Sequence, residues 1–246
     1  MYWIIFIILF LFVLFIVYLI KKERLSPNLV PVINILLLLV AIFFAYKIYE
    51  SIMAPVRFNK IKRERFAKVI DRLKDIRDAE VAMRSITGHY TASFDSLVKF
   101  VDTAKFPIIE QHDSVYKVYN DYKHIWEDKE TKVIDTLGFI PVKDSLFKHS
   151  DRYKQMMWVP IPGKEKQVKF KLETGSIKKG ELMMPLFKAS IPKRVILYDQ
   201  PKDLVEQEEQ VISTKEINGP EIYVGSLKDV SVNGNWPKLY DIKKTQ

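Results

Sequence analysis

The stretch that decides the fold runs from residue 55 to residue 88 and reads PVRFNKIKRERFAKVIDRLKDIRDAEVAMRSITG. Its apolar residues recur at close to helical spacing, namely Phe58, Ile61, Val69, Ile70, Leu73, Ile76 and Met83. Two acid-first pairs four residues apart also support a helix: Glu64 with Lys68, and Glu80 with Arg84. Because no glycine or proline interrupts the pattern before Gly88, we predict one long amphipathic helix, extending roughly 45 Å over about 30 residues.

Upstream of this helix, two apolar segments have the length of membrane spans. Residues 2–20 contain no charge, and residues 30–49 are apolar apart from Asn34 and residues near the far boundary. A bilayer core about 30 Å thick needs roughly 20 apolar residues. The short connection between the segments predicts an antiparallel transmembrane hairpin within residues 1–50. Asn34 is expected to form a hydrogen bond between helices, either inside the hairpin or in an oligomer.

Basic residues beside the two spans give opposed indications of topology. Three of them lie in the short loop: Lys21, Lys22 and Arg24. Seven follow the second span: Lys47, Arg57, Lys60, Lys62, Arg63, Arg65 and Lys68. Charge bias orients short loops, whereas long domains cross the membrane largely regardless of their charge. We therefore expect a cytoplasmic loop and an external, periplasmic C-terminal domain at a bacterial inner membrane.

Most of the net charge of +9 lies in one segment. Residues 57–105 hold 12 basic and 7 acidic residues. A basic stretch beside a span can bind anionic lipid headgroups, and the candidate contacts are Lys21, Lys22, Arg24, Arg57, Lys60, Lys62 and Arg63. The other interpretation is a solvated helix face with interleaved acids. Nucleic acid is not an expected partner, because no stacking platform of aromatic residues accompanies the charges.

The end of the helix resembles a known family. Residues 73–83 read LKDIRDAEVAM, residues 87–91 read TGHYT, and Phe94, Leu97 and Phe100 follow. This order is similar to the segment of type IV pilins and pseudopilins in which a membrane-emergent helix ends in a G-x-Y turn before a short helix. The resemblance implies a small pilin-like packing unit rather than a polymerising pilin. Gly88 is expected to end the helix in a left-handed conformation, and Tyr90 to fold back onto the core.

Beyond residue 106 the pattern changes to short runs with β character. The predicted strands cover residues 114–119, 132–137, 168–173, 186–191, 194–198, 210–213 and 221–224. Residues 144–153 and 202–209 are predicted as short helices, and the candidate core residues are Trp126, Trp158, Trp236 and Phe187. The fold class is therefore α+β. We expect a transmembrane hairpin (1–50), an amphipathic stalk with a short helical pilin-like unit (51–105) and a mainly antiparallel β-rich domain (106–246).

No motif in the sequence indicates a reaction. The chain has no cysteine, which excludes thiolate catalysis and cysteine-bound metals, and it has neither of the glycine-rich phosphate-binding patterns. The four histidines, His89, His112, His124 and His149, form no metal-binding spacing, although His124 and Glu127 would share a helix face. Paired carboxylates such as Asp71 and Asp75 are interpreted as solvated. We expect no cofactor, no metal and no catalytic residue.

Strong anchoring without recognisable chemistry favours a non-catalytic scaffold or assembly subunit of a multi-protein bacterial envelope machine, such as a secretion or pilus-like apparatus. Its expected partners are the membrane and other envelope proteins, with a homo-oligomer as one option. Two alternatives stay open. One is a membrane-bound enzyme acting on envelope polymers or lipids, and the other is a cytoplasm-facing adaptor whose basic helix binds anionic lipid or a partner.

Overall fold

The computed structural model describes residues 30–148 and 150–241, together with Val13, Phe15, Val17, Tyr18 and Lys22. The fold is α+β, and the chain divides into two compact units, Met1–Asn59 and Lys60–Gln246. The first predicted span, residues 2–20, and the loop residues Lys21 and Arg24 lie outside the described residues, apart from four helical positions in the span. The α+β class is as the sequence predicted.

Helix α1 covers Val30–Thr87, 58 residues with Pro55 in its interior. Its first part is long and apolar enough to cross a membrane, and it lies near the N-terminus. Large apolar side chains in this part, such as Leu36 and Leu39, are exposed. Since a bilayer core offers no water to backbone N–H and C=O groups, a continuous helix is the conformation expected of such a segment. The helix is continuous across residue 50, the predicted boundary between the hairpin and the stalk.

The second unit is built around the last turns of α1. Phe66, Val69, Ile70, Leu73 and Ile76 are each at most 1% exposed. Their three- and four-residue spacing places them on one face, and burying that face provides most of a helix's stability. Residues 60–87 were predicted to form a stalk. They instead form the central helix of a folded unit.

The end of α1 is as the sequence predicted. Gly88 has a φ of 82°, and its N–H donates to the carbonyl of Arg84 at 2.8 Å. Tyr90 is buried, with its ring centroid 4.7 Å from that of Phe187. Helix α2 then covers Phe94–Thr103. A left-handed glycine ends the helix because it allows the chain to reverse without a Cβ clash.

A two-stranded antiparallel ribbon follows α2. Strand β1 covers Lys105–Asn120 and strand β2 covers Ile125–Pro141. Lys105 pairs with Pro141 at the base, and Asn120 pairs with Ile125 at the tip. The register shifts once, between Ile108 and Ile109. Both predicted strands, residues 114–119 and 132–137, lie inside this longer ribbon.

A second antiparallel sheet has the order β3-β4-β5. Its strands cover Lys171–Lys179, Leu182–Pro192 and Glu221–Gly225. The central strand, β4, buries the apolar side chains of its second half, with Phe187 at 1% exposure and Ala189 at 0%. This sheet therefore belongs to the core of the second unit.

Four short helical segments join these strands: α3 (Val142–Phe147), a 3-10 helix (Asp151–Gln155), α4 (Lys193–Ile196) and α5 (Lys202–Glu209). A last 3-10 helix covers Lys238–Tyr240. The helices predicted at residues 144–153 and 202–209 are thus present, the first as two pieces.

Two predicted strands and one predicted core residue are wrong. Residues 194–198 begin in α4, because Pro192 ends the strand and fixes the φ angle before the helix. Residues 210–213 form no strand, and the N–H of Ser213 donates to the side chain of Asn218 in a local turn. Trp126 is 66% exposed on the ribbon, whereas Trp236 and Phe187 are buried as predicted.

Candidate functional site

The β1–β2 ribbon, residues 105–141, is the most unusual surface of the described chain, and we call it the arm. Its two strands contain 16 and 17 residues. At about 3.4 Å per residue, the arm is therefore roughly 50 Å long. Large apolar side chains more than half exposed lie along it: Ile109, Val115, Trp126, Ile134, Leu137 and Phe139. Exposed apolar surface of this extent marks an interaction site.

Cross-strand pairing places five of these side chains, all except that of Leu137, on one face of the arm, and Tyr116, Val118 and Ile125 are exposed on the other face. Val115 lies opposite Glu130, and Tyr119 lies opposite Trp126 with the ring centroids 5.3 Å apart. The same face carries two pairs of opposite charge, Asp113 facing Lys132 and Lys117 facing Asp128. Such pairs specify the register of a two-stranded ribbon. They do not provide a buried face, because nearly all positions on either side of the arm are exposed.

The tip of the arm is an ordered four-residue turn. The side-chain carbonyl of Asn120 accepts hydrogen bonds from the N–H groups of Tyr122, at 3.1 Å, and Lys123, at 3.3 Å. His124 adopts a φ of 55°, and its N–H donates to the backbone carbonyl of Asn120 at 2.9 Å. Tyr122 is 99% exposed as a result. The turn therefore holds an aromatic side chain in solvent at the end of the arm.

A buried ionic cluster fixes α1 within the second unit, and we call it the lysine–glutamate cluster. The carboxylate of Glu208 accepts from Lys62 at 2.8 Å through Oε2 and from Lys193 at 2.9 Å through Oε1. Lys193 also donates to the carbonyls of Glu208 and Ile217, and Lys62 to Glu216. Lys193 is fully buried and Lys62 is 4% exposed. Both ammonium groups are thus compensated, as buried charges require.

A second ion pair joins α1 to the segment after α4. The guanidinium of Arg65 donates to both carboxylate oxygens of Asp199, at 2.5 Å and 2.7 Å, and to the carbonyl of Ile196 at 2.9 Å. This bidentate bond lowers the pKa of Asp199 to about 2. Arg65 was not a predicted lipid contact, but Lys62 was, and both basic side chains are buried in contacts within the second unit.

Glu80 is a carboxyl group outside these ion pairs whose pKa is strongly raised. It is fully buried on α1, and its Oε2 accepts the N–H of Thr91 at 3.1 Å. Its Oε1 has no hydrogen-bond partner. Burial raises the pKa of Glu80 to about 8. Sequence reasoning assigned this residue to a helix pair with Arg84, but Arg84 instead donates to the hydroxyl of Tyr90 at 3.2 Å.

The other predicted contact residues are dispersed. Arg57, Lys60 and Arg63 are exposed, and Arg57 forms an ion pair with Glu50. Lys22 donates to the hydroxyl of Tyr18 at 2.8 Å, and Asn34 is exposed on α1. Lys62 is not available to a lipid surface, because it is buried in the lysine–glutamate cluster.

The predicted chemistry-bearing side chains are likewise separated. His124 and Glu127 lie on the arm, so the condition under which they would share a face, a helical stretch, is not met. His112 lies 3.7 Å from Asp135 across the two strands, and Asp75 is paired with Arg152 at 3.1 Å. Over residues 30–148 and 150–241, no group of three or more His, Cys, Asp or Glu side chains is placed to hold a metal ion.

The arm is the feature that sequence reasoning missed, although it located two of its strands. The sequence does indicate an uncovered ribbon, because apolar and charged residues occur on both faces of each strand instead of alternating between an inner and an outer face. Comparisons with protein-family models, with curated proteins and with solved structures find no match to this chain. The exposed apolar surface of the arm is therefore the feature from which we infer a function.

Proposed function

We propose that this protein is a membrane-anchored, non-catalytic scaffold or assembly subunit of a multi-protein bacterial envelope machine, such as a secretion or pilus-like apparatus. The observation that carries the proposal is the arm, an ordered ribbon with apolar side chains exposed on both faces. A two-stranded ribbon is marginally stable in water by itself. Contact with other proteins would bury the exposed side chains and stabilise it.

The anchor in this proposal is a two-pass hairpin formed by residues 2–20 and 30–49. The apolar first part of α1 supports the second pass. We place the loop with Lys22 in the cytoplasm and the C-terminal unit in the periplasm, on the basis of the short-loop charge rule. The turn after Gly88 together with α2 would form the small pilin-like unit. Arg57, Lys60 and Arg63, which are exposed and follow the apolar stretch in sequence, would contact anionic lipid headgroups.

Reporter fusions to the C-terminus test the topology. We expect an alkaline phosphatase fusion to be active and a fluorescent fusion that matures only in the cytoplasm to be dark. The reverse result would place the second unit inside the cell. It would replace the envelope scaffold by the cytoplasm-facing adaptor, whose exposed basic residues would then meet the anionic inner leaflet.

Assembly is tested by the size of the particle that the full chain forms. Protein extracted from its own membranes in mild detergent should migrate as a complex larger than the 28.9 kDa chain. A matched variant in which Asn-Gly replaces residues 112–133 keeps the paired residues Gln111 and Ile134 joined by a two-residue turn. We expect this variant to lose the complex. Monomeric migration of the unaltered protein, with no associated protein, would contradict the proposal.

A further inference from the structure

The free edge of β1 carries a charge pattern that is symmetric about one residue. Residues 110–120 read EQHDSVYKVYN, so that Asp113 and Lys117 are equally distant from Val115. All three side chains are exposed on the same face of the arm. One long edge of β1 is paired with β2, and the other is free of strands in the described sheet. A free edge offers unpaired backbone N–H and C=O groups to another strand.

We propose that a second copy of this chain pairs with β1 along this free edge, antiparallel and with a two-fold axis at Val115. Val115 would then face Val115 of the second copy. Asp113 of each copy would face Lys117 of the other, which gives two contacts of opposite charge from one symmetric interface. The result is a four-stranded sheet in the order β2-β1-β1-β2.

The charges select this register over its neighbours. Residues that lie opposite each other in adjacent strands have their side chains on the same face of the sheet. In a symmetric antiparallel pair, the two-fold axis must therefore pass through a residue and not between two residues. An axis through Asp113 or Lys117 would place that charge against its own copy. An axis through Ser114 or Tyr116 would leave both charges opposite uncharged residues. Only the axis at Val115 pairs Asp113 with Lys117, and it joins residues 110–120 over their full length.

The free edge of β2 does not offer the same pairing. The equivalent opposite charges on β2 are Asp128 and Lys132, which are symmetric about Glu130. Pairing them across a two-fold axis would place Glu130 directly against Glu130 of the second copy. Like charges directly opposite each other destabilise a strand pair. Self-association therefore favours the β1 edge.

Pairing through β1 would also stabilise the arm. Three or more strands with an apolar face are needed for independent stability. The four-stranded sheet would place Val115, Tyr119 and Trp126 of both copies on one continuous surface. This inference rests on the assembly role proposed above, since it names a second copy as one of the partners.

Cysteine cross-linking in the full-length membrane protein tests the contact directly. The chain has no cysteine, so V115C introduces a single thiol at the axis. Residues directly opposite in antiparallel strands are about 4.5–5.5 Å apart, within the range for a disulfide. The matched control is I134C, because Ile134 and Val115 are 59% and 58% exposed. Its thiols would lie on the two outer strands, roughly 14 Å or more apart.

We expect mild oxidation to convert V115C, but not I134C, into a disulfide-linked dimer. Equal cross-linking of the two variants, or no cross-linking of V115C, would overturn the inference. Its failure is distinguishable from failure of the proposed function. If V115C does not cross-link while shortening the arm still abolishes the large complex, the scaffold role holds and the second copy is the wrong partner.

Charge reversal provides an independent test, in which D113K is combined with K132D and K117D with D128K so that each arm keeps its own cross-strand pair of opposite charge. D113K places two like-charged pairs in the interface, and so does K117D, so each variant should self-associate about tenfold or more weakly. When differently tagged D113K/K132D and K117D/D128K chains are co-expressed, every contact between the two copies at positions 113 and 117 is again between opposite charges. We expect them to co-purify. If mixing does not restore association, or if each variant associates like the unaltered chain, the inference is wrong.

Discussion

The arm and the β3-β4-β5 sheet are both antiparallel, yet they are stabilised in different ways. In β4, side chains such as Phe187 and Ile191 are buried, and the flanking strands and helices of the second unit surround them. In β1, which is longer than β4, every side chain is at least partly exposed. Backbone pairing alone therefore defines the geometry of a ribbon, whereas side-chain burial provides most of the free energy of folding.

Removing the centre of the lysine–glutamate cluster should have the largest effect on the packed region. E208A leaves the buried ammonium groups of Lys62 and Lys193 without their shared carboxylate. We expect the free energy of unfolding to fall by about 3–5 kcal/mol. Chemical denaturation of the full chain in detergent measures this.

A neighbouring ion pair provides the control. K68A breaks the pair with Glu64, in which the two side chains are 55% and 66% exposed, and an exposed pair contributes at most about 1 kcal/mol. If E208A were as mild as K68A, the cluster would not hold α1 in place.

Truncating one isoleucine in each sheet tests the comparison itself. Ile222 on β5 is fully buried, and Ile134 on the arm is 59% exposed. We expect I222A to lower the free energy of unfolding by about 2–5 kcal/mol, since it opens a cavity. I134A should change it by less than about 0.5 kcal/mol. If both variants lowered the free energy of unfolding of the monomer equally, side-chain burial would not distinguish the two sheets.

Glu80 should make the packed region sensitive to pH. Because burial raises the pKa of Glu80 from 4.5 to about 8, the folded state retains a proton that the unfolded state releases. Its contribution to stability is fully present below pH 4.5 and is lost as pH rises toward 8. Between pH 5 and pH 7.5 we expect a loss of about 3 kcal/mol that E80Q abolishes. The measurement is the midpoint of unfolding across this pH range.

The control for this prediction is E64Q on the same helix. Glu64 is exposed and bound to Lys68 at 3.0 Å, which lowers its pKa. E64Q should retain the pH dependence of the unaltered protein. An unchanged slope in E80Q would show that another group is responsible.

Shortening the arm should have the smallest effect on stability. Replacement of residues 112–133 by Asn-Gly removes exposed side chains and leaves the β3-β4-β5 sheet untouched. We expect the second unit to unfold within about 1 kcal/mol of the unaltered value, because surface changes away from the core cost little. A loss of several kcal/mol, measured by the same denaturation, would show that the arm is part of the core.

Local features were predictable from the sequence, and long-range ones were not. The apolar helix near the N-terminus and the stop at Gly88 depend on composition and on one residue's conformational freedom, so the pattern alone indicates them. The burial of Lys62 depends on Glu208, 146 residues away, and no local pattern reports it. The exposure of Trp126 was missed for a similar reason, since an aromatic residue in a strand has the same local signature whether or not another layer covers it.

Backbone hydrogen exchange measures whether contacts between chains stabilise the arm. The full chain would be labelled once at a concentration at which it is assembled in lipid nanodiscs or detergent, and once after dilution to the monomer. We predict that protection of residues 105–141 falls sharply on dilution while protection of β4 is unchanged, because contacts between chains stabilise only the arm. Equal protection of the arm in both samples would contradict its role as an assembly surface.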